Sequence, residues 1–174
     1  MPDQRDPQIQ RLLDRQAIGD CLTRYARGID RHDDELVMSA FHEDALDRHG
    51  QFVGSPRDLA AWGHAQHEQT WISHQHFLMN QTVDFDGEDE AHVETYLMFV
   101  QRRAAGARVD FGGGRYLDRF ERRDGDWRIA ARLVVIDWVC DAAADDPRGV
   151  LERYRNGRWD RSDPSYERPL LITR

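Results

Sequence analysis

The stretch "RYLDRFERRDGDWRI", residues 115–129, decides the fold, because it holds the end of one strand, a tight turn and the start of the next strand. Strand-like residues lie on both sides of Arg123–Asp126, and the Asp-Gly pair in that turn is a strong hairpin signal. Two long antiparallel strands are therefore predicted, Arg108–Arg122 and Trp127–Val139. Three consecutive glycines, residues 112–114, predict a bulge in the first of them.

The spacing of apolar residues divides the chain before this hairpin into a helical part, which comes first, and a part with strands. Apolar residues alternate after Trp71 but recur at helical spacing before it. Six elements are predicted there: a helix over residues 8–28, a short helix over 33–41, a hairpin over 45–53, a helix from Ser55 to about residue 67, and strands Ser73–Phe85 and Ala91–Arg102. Helices first and long antiparallel strands afterwards indicate an α+β fold, with the N-terminal helices packed on a strongly curved antiparallel sheet.

Composition restricts the function. The chain has 174 residues and a net charge of −8, which argues against a nucleic-acid-binding or anionic-membrane-binding surface. All 24 basic residues are arginine, which excludes a lysine Schiff base. The N-terminus has no apolar signal segment, and Cys21 and Cys140 lie in apolar contexts outside any CxxC motif. These features predict a cytoplasmic protein with reduced thiols.

Two histidines stand out in "WISHQHFLMN", residues 71–80. In a strand, His74 and His76 would share one face, where they could bind a metal, transfer protons or lie at a wet edge. A metal site would need a third ligand, such as Asp30, Asp137 or Glu94. Since no ligand motif supports one, no metal is expected, and a rim or edge position is expected for His74.

The other six histidines have no predicted role. His64 and His67 are three residues apart on the third helix, but no third ligand lies near them in the sequence. They are interpreted as surface residues.

Three patches resemble the nuclear transport factor 2 superfamily in its SnoaL-like branch: "RYARGIDRHD" (24–33), "HFLMNQTVDFDG" (76–87) and the hairpin quoted above. That branch includes lindane dehydrochlorinase, scytalone dehydratase and bile-acid dehydratases. The resemblance implies a cone-shaped sheet enclosing a pocket over residues 1–145, with an arginine-rich extension of the same domain over 146–174. It also implies no cofactor, and a homo-oligomer with a trimer favoured over a dimer.

The resemblance also implies which residues act. Asp30 matches the aspartate of a dehydratase-type dyad, and His76, four residues before Asn80, matches its histidine. Tyr25 matches a pocket tyrosine of the bile-acid dehydratases, and Arg132 a pocket arginine of the dehydrochlorinase. The dehydrochlorinase's pocket lysine and the second histidine of scytalone dehydratase have no counterpart here, so the resemblance implies neither of those two specific reactions. Three further residues are expected to bind substrate: Tyr96, Met98 and Trp138.

Together these features predict a cofactor-independent lyase that acts on an apolar, ring-containing or aromatic small molecule. An Asp–His general base would remove a proton while water, or a small fragment such as formaldehyde, is eliminated. Two alternatives stay open. One is a steroid or polyketide isomerase or cyclase, and the other is a non-catalytic β-type subunit of a ring-hydroxylating dioxygenase.

Overall fold

The computed structural model describes residues 6–146 and 149–172, in which three helices are followed by a long strand meander. In chain order the elements are α1 (Pro7–Arg31), α2 (Asp34–Ser39), β1 (Phe41–His49), β2 (Phe52–Gly54), α3 (Pro56–Thr70), β3 (Trp71–Asp86), β4 (Glu90–Arg103), β5 (Arg108–Arg123), β6 (Asp126–Ala143) and 3₁₀ turns at Leu151–Arg153 and Pro164–Tyr166. The predicted α+β class is confirmed. None of the described helices is long and apolar enough to cross a membrane.

The six strands form one curved sheet in the order β2-β1-β6-β5-β4-β3. Strands β3 to β6 pair as antiparallel neighbours, as predicted. The pairing of β1 with β6 is parallel, with Leu46 opposite Ala131. The prediction of a wholly antiparallel sheet is therefore wrong at this pairing, because β1 enters from the helical layer rather than through a hairpin with β6. Strands β2 and β3 form the two edges, so the sheet does not close.

The helices cover the concave face of the sheet and bury its apolar residues. Ile18 and Leu22 of α1, Phe41 of β1, Phe120 of β5 and Ile129 of β6 are at most 1% exposed. Apolar residues from helix and strand thus form one core, which fixes the position of α1 against the sheet.

Helix α1 runs past Gly28, where the sequence predicted its end, and stops at Arg31. Its cap is His32 in the left-handed conformation (φ 49°), and the Asp33 N–H donates to the Gly28 carbonyl at 2.9 Å. Gly28 instead permits close packing, since a Cβ there would lie 2.7 Å from the backbone nitrogen of Val37 in α2. This close approach turns the chain sharply just after Asp30.

A register shift between β5 and β6 decides which side chains face the core. Gly113 pairs with Trp138 but Gly114 pairs with Ile136, so Asp137 is the extra residue. The predicted bulge is present at this level, but the inserted residue lies on β6 and not among the glycines. Because of Asp137, Trp138 lies on the face opposite to that of Arg132: Arg132 points inward, while Trp138 covers Gly113 on the outer face.

Candidate active site

The candidate site lies where the first half of β3 passes the C-terminal end of α1. The last carbonyls of a helix have no partners within the helix. Here the His74 Nε2–H donates to the carbonyl of Ile29 at 2.9 Å. His74 lies on the edge strand β3, as predicted, but its side chain is not at a wet edge: it is 3% exposed because α1 and its carbonyl cover this part of the strand.

Asp30 and His76 make direct contact. Oδ1 of Asp30 lies 2.7 Å from Nδ1 of His76, and Oδ2 accepts the backbone N–H of the same residue at 3.0 Å. Both oxygens of one carboxylate therefore orient one histidine. The Asp30 side chain is 13% exposed and the His76 side chain 10%, so the pair lies just below the surface.

This geometry fixes the histidine tautomer. A carboxylate accepts hydrogen bonds, so Nδ1 of His76 carries the hydrogen and Nε2 carries the lone pair. No described residue donates a hydrogen bond to Nε2. His74 adds no competing positive charge, because burial lowers its pKa to about 4. The arrangement can therefore accept a proton at Nε2 while Asp30 balances the charge that develops.

Tyr25 and Arg132 lie together, but in the core. Arg132 forms two hydrogen bonds with Asp118, at 2.7 and 2.8 Å, and neither side chain is exposed. Its guanidinium carbon lies 4.2 Å from the ring centre of Tyr25 and 4.0 Å from that of Tyr116. Arg132 and Asp118 border a cavity of about 560 Å³ that neither Asp30 nor His76 lines. The structure does not bring these predicted residues to the Asp30–His76 pair.

The three predicted substrate-binding residues face away from His76. His76 pairs with Phe99, whereas Phe77 pairs with Met98, so Met98 and His76 lie on opposite faces. Tyr96 follows Met98 on the outer face, and Trp138 joins them because of the extra residue Asp137. Tyr96 and Trp138 are 46% and 49% exposed. The strand alternation and the bulge put all three on the convex side, so the structure does not bring them to the Asp30–His76 pair.

Sequence reasoning missed a group of histidines next to the pair. His64, His67 and His74 converge on His32, although His64 and His67 were interpreted as surface residues. The His64 side chain is only 12% exposed. Their spacing on α3 was a usable signal, but their partners come from the α1 cap and from β3, which are distant in sequence.

The C-terminal segment also contributes, although the sequence suggested no contact for it. The segment over residues 158–166 packs on the end of α1, where Asp163 pairs with Arg31 at 3.2 Å and the Tyr166 hydroxyl donates to Asp33 at 2.6 Å. Upstream of this segment, Leu151–Arg153 forms a single 3₁₀ turn.

A cavity of about 1110 Å³ lies between this segment and β3, and Asp30, His74 and Trp159 are among its lining residues. Several of its other lining residues are apolar: Ile72, Val100, Val109 and Leu151. Its volume is sufficient for a small organic ligand.

Solved structures share this fold at low sequence identity. A candidate scytalone dehydratase from Novosphingobium aromaticivorans is 22% identical, with coverage of 82% of this chain and 97% of that one and a TM-score of 0.69. Hexachlorocyclohexane dehydrochlorinase LinA-type3 from Novosphingobium barchaimii is 19% identical, with coverage of 79% and 96% and a TM-score of 0.72. A candidate aromatic ring hydroxylase from N. aromaticivorans is 22% identical, with coverage of 75% and 94% and a TM-score of 0.66.

These structures show a common fold. A comparison with curated protein sequences found no match to the chain. The model of the SnoaL-like domain matches residues 10–133, which include most of α1, the edge strand β3 and both members of the Asp30–His76 pair. The chain therefore belongs to the SnoaL-like domain family.

Proposed function

We propose that the protein is a lyase in which His76 is the general base and Asp30 its orienting carboxylate. Nε2 of His76 removes a proton from a carbon or an acidic hydroxyl of the substrate. Asp30 holds the ring and stabilises the imidazolium that forms. Water or a small fragment such as formaldehyde leaves, and the reaction needs no redox cofactor.

The observation that carries this proposal is the two-point contact between the Asp30 carboxylate and His76. A histidine held only by packing would have no fixed tautomer. Here Oδ1 lies 2.7 Å from the ring and Oδ2 lies 3.0 Å from the backbone nitrogen, which leaves Nε2 as the basic atom. General-base assistance of this kind is worth about 10²–10⁴-fold in rate.

The substrate class follows from the surroundings of Asp30. Polar and charged residues form most of the lining of the adjacent cavity of about 1110 Å³, which includes Asp30 but not His76 itself. Its apolar side chains and the Trp159 indole nevertheless form a surface on which an apolar ring can pack. The dehydratase and dehydrochlorinase structures that share the fold are named for eliminations, which supports the same reaction type.

The contact also supports an enzyme over a non-catalytic subunit, which has no use for an Asp–His pair. An isomerase or cyclase would use the same base. The mass of the product distinguishes such a reaction from an elimination. Isomerisation conserves the mass of the substrate, whereas elimination reduces it.

The decisive experiment is a screen of aromatic dimers and hydroxysteroids with mass detection, repeated with His76→Ala. We expect the wild-type protein to release a fragment and the variant to lose turnover with an unchanged circular dichroism spectrum. His92→Ala is the matched control, since that histidine is exposed on the outer face of β4. Full activity of a folded His76→Ala variant would refute the assignment.

We also propose that the chain self-associates through the outer face of its sheet, with a trimer favoured over a dimer. Phe77, Tyr96 and Trp138 lie exposed on that face at 41%, 46% and 49%, an apolar surface of the kind that marks interfaces. Light scattering on a size-exclusion column measures the mass directly. A monomer at micromolar concentration would contradict this proposal.

A further inference from the structure

Four of the protein's eight histidines gather at one point beside the Asp30–His76 pair. The His32 ring stacks on that of His64 with a centroid distance of 4.1 Å, and the His67 and His74 rings are 4.0 Å apart. Trp159, from the C-terminal segment, covers His32 at 4.3 Å. The α1 cap, α3, β3 and the C-terminal segment all meet here.

Each of the four rings has a buried nitrogen without a hydrogen-bond partner among the described residues. These atoms are Nε2 of His32, Nε2 of His64, Nδ1 of His67 and Nδ1 of His74. The side chain of His74 is fully buried and that of His32 is 6% exposed. Buried polar atoms are nearly always satisfied in folded proteins, so four exceptions in one place call for a partner besides the described residues.

The other contacts of the rings show what that partner must be. His74 uses Nε2–H to donate to the Ile29 carbonyl, so its Nδ1 carries a lone pair. Nδ1 of His32 lies 3.7 Å from the Glu68 carboxylate, which favours a hydrogen there and a lone pair on Nε2. Among the described residues no hydrogen-bond partner fixes the tautomer of His67, so its Nδ1 can present a lone pair as well. A single water donates only two hydrogens and cannot satisfy three lone pairs, whereas a cation can.

We propose that His32, His67 and His74 bind one divalent transition-metal ion, for which zinc is the best match to three imidazoles. One potential ligand atom from each residue lies within 4.8 Å of the other two. Zinc–nitrogen bonds of about 2.0–2.1 Å require nitrogens roughly 3.4 Å apart, so the rings need to approach by about 1.4 Å at most. Three protein ligands leave a fourth position for water.

The surroundings also suit this ion. The Ile29 carbonyl accepts the Nε2–H of His74 at 2.9 Å, in the way that outer partners orient ligating histidines in metal sites, and the Glu68 carboxylate lies 3.7 Å from Nδ1 of His32. The bound ion would tie the end of α1 to α3 and β3.

The test is metal binding by the full chain, produced without a histidine tag and stripped with EDTA. Zinc is titrated by calorimetry, and cobalt is titrated by its visible absorption, which is intense in a tetrahedral nitrogen site. We expect one ion per chain. Two variants, His67→Gln and His32→Asn, should each weaken zinc binding by at least about 10–100-fold. Asparagine is chosen at position 32 because it is tolerated in the left-handed backbone conformation.

His92→Gln is the matched control, because it removes the exposed group formed by Asp86, Glu90 and His92, which also offers three potential ligands. His76→Ala should retain the ion, which separates this site from the proposed reaction. Unchanged zinc affinity in folded His67→Gln, loss of binding only in His92→Gln, or no binding by the wild-type chain would each overturn the proposal. If His67→Gln does not fold, the same titration of His32→Asn decides.

Discussion

Two of the pairs that an aspartate forms with a basic residue differ in which atoms they leave available for chemistry. Asp30 and His76 lie just below the surface at 13% and 10% side-chain exposure, and Nε2 of His76 has no described partner. Asp118 and Arg132 are fully buried and joined by two hydrogen bonds. Both Arg132 and His76 were predicted to be catalytic, but the histidine alone keeps a reactive atom available.

The rings around Arg132 strengthen this contrast. Tyr25 and Tyr116 lie against the guanidinium, and burial raises the pKa of Tyr25 to about 12, so its hydroxyl stays protonated. A paired charge between aromatic rings holds strands β5 and β6 to α1 but has no access to solvent. The comparison teaches that residue type and spacing identify a charged pair, whereas the solvent exposure of its side chains decides whether the pair can react with a substrate.

Removing the charge of Asp118 should have the largest effect on stability. Asp118→Asn leaves the Arg132 charge buried without a counter-ion, which typically costs about 3–5 kcal/mol. Urea unfolding followed by circular dichroism measures the loss. The double variant Asp118→Leu/Arg132→Met is the control and should recover most of the stability, because an apolar pair carries no unpaired charge. A loss below about 1 kcal/mol in Asp118→Asn would mean that the pair is not desolvated.

Removing the charge of Asp30 should affect turnover instead. Asp30→Asn should lower the rate by about 10²–10⁴-fold while changing stability little, since the residue lies at the edge of the core. Nitrogen NMR of the His76 ring should also show a changed tautomer population, which needs no substrate. Asp34→Asn, at the exposed start of α2, should change neither property. A normal rate together with an unchanged ring signal would remove Asp30 from the mechanism.

The close contact that turns the chain after Asp30 gives a smaller effect. Gly28→Ala should destabilise the fold by about 1–3 kcal/mol, because the new methyl group would lie 2.7 Å from the Val37 nitrogen. Gly63→Ala, in α3 with no atom within 4 Å of the added carbon, is the matched control. It should be neutral or stabilise by about 1 kcal/mol through helix propensity. Equal behaviour of the two variants would contradict the role given to Gly28.

The C-terminal segment should give the smallest effect, and one that depends on pH. Burial raises the pKa of Asp163, but hydrogen bonds from Ser165 and Arg158 and the charge of Arg31 outweigh it and bring the pKa to about 2. The unfolded value is about 3.9, so the stabilisation is complete above that pH and is lost as the pH falls towards 2.

Asp163→Asn should therefore increase hydrogen exchange at residues 158–166 by about tenfold at pH 7, the equivalent of about 1.4 kcal/mol. The difference from wild type should shrink below pH 4. Asp160→Asn, at an exposed position of the same segment, serves as the control. A difference that persists unchanged at pH 2.5 would show that the charge of Asp163 does not hold the segment.

Much of the fold was predictable because its signals are local. The Asp-Gly turn at Asp124–Gly125 and the Ser55 cap each specify an element from neighbouring residues. The parallel pairing of β1 with β6 was not predictable, because it joins segments some ninety residues apart without a turn signal. At the site, resemblance suggested Asp30 and His76, but no local pattern shows which rings pack around His74. The C-terminal contacts of Asp163 and Trp159 are equally non-local.

Asp137, the extra residue of β6, has a consequence for the transfer of residue roles between relatives. Each residue after Asp137 lies on the face of the sheet opposite to that expected from counting along β6 from the residues just before Asp137. In a relative without this insertion, the residue aligned with Trp138 would face the concave side of the sheet. Substrate specificity could then change between relatives through one inserted residue, with every aligned side chain identical.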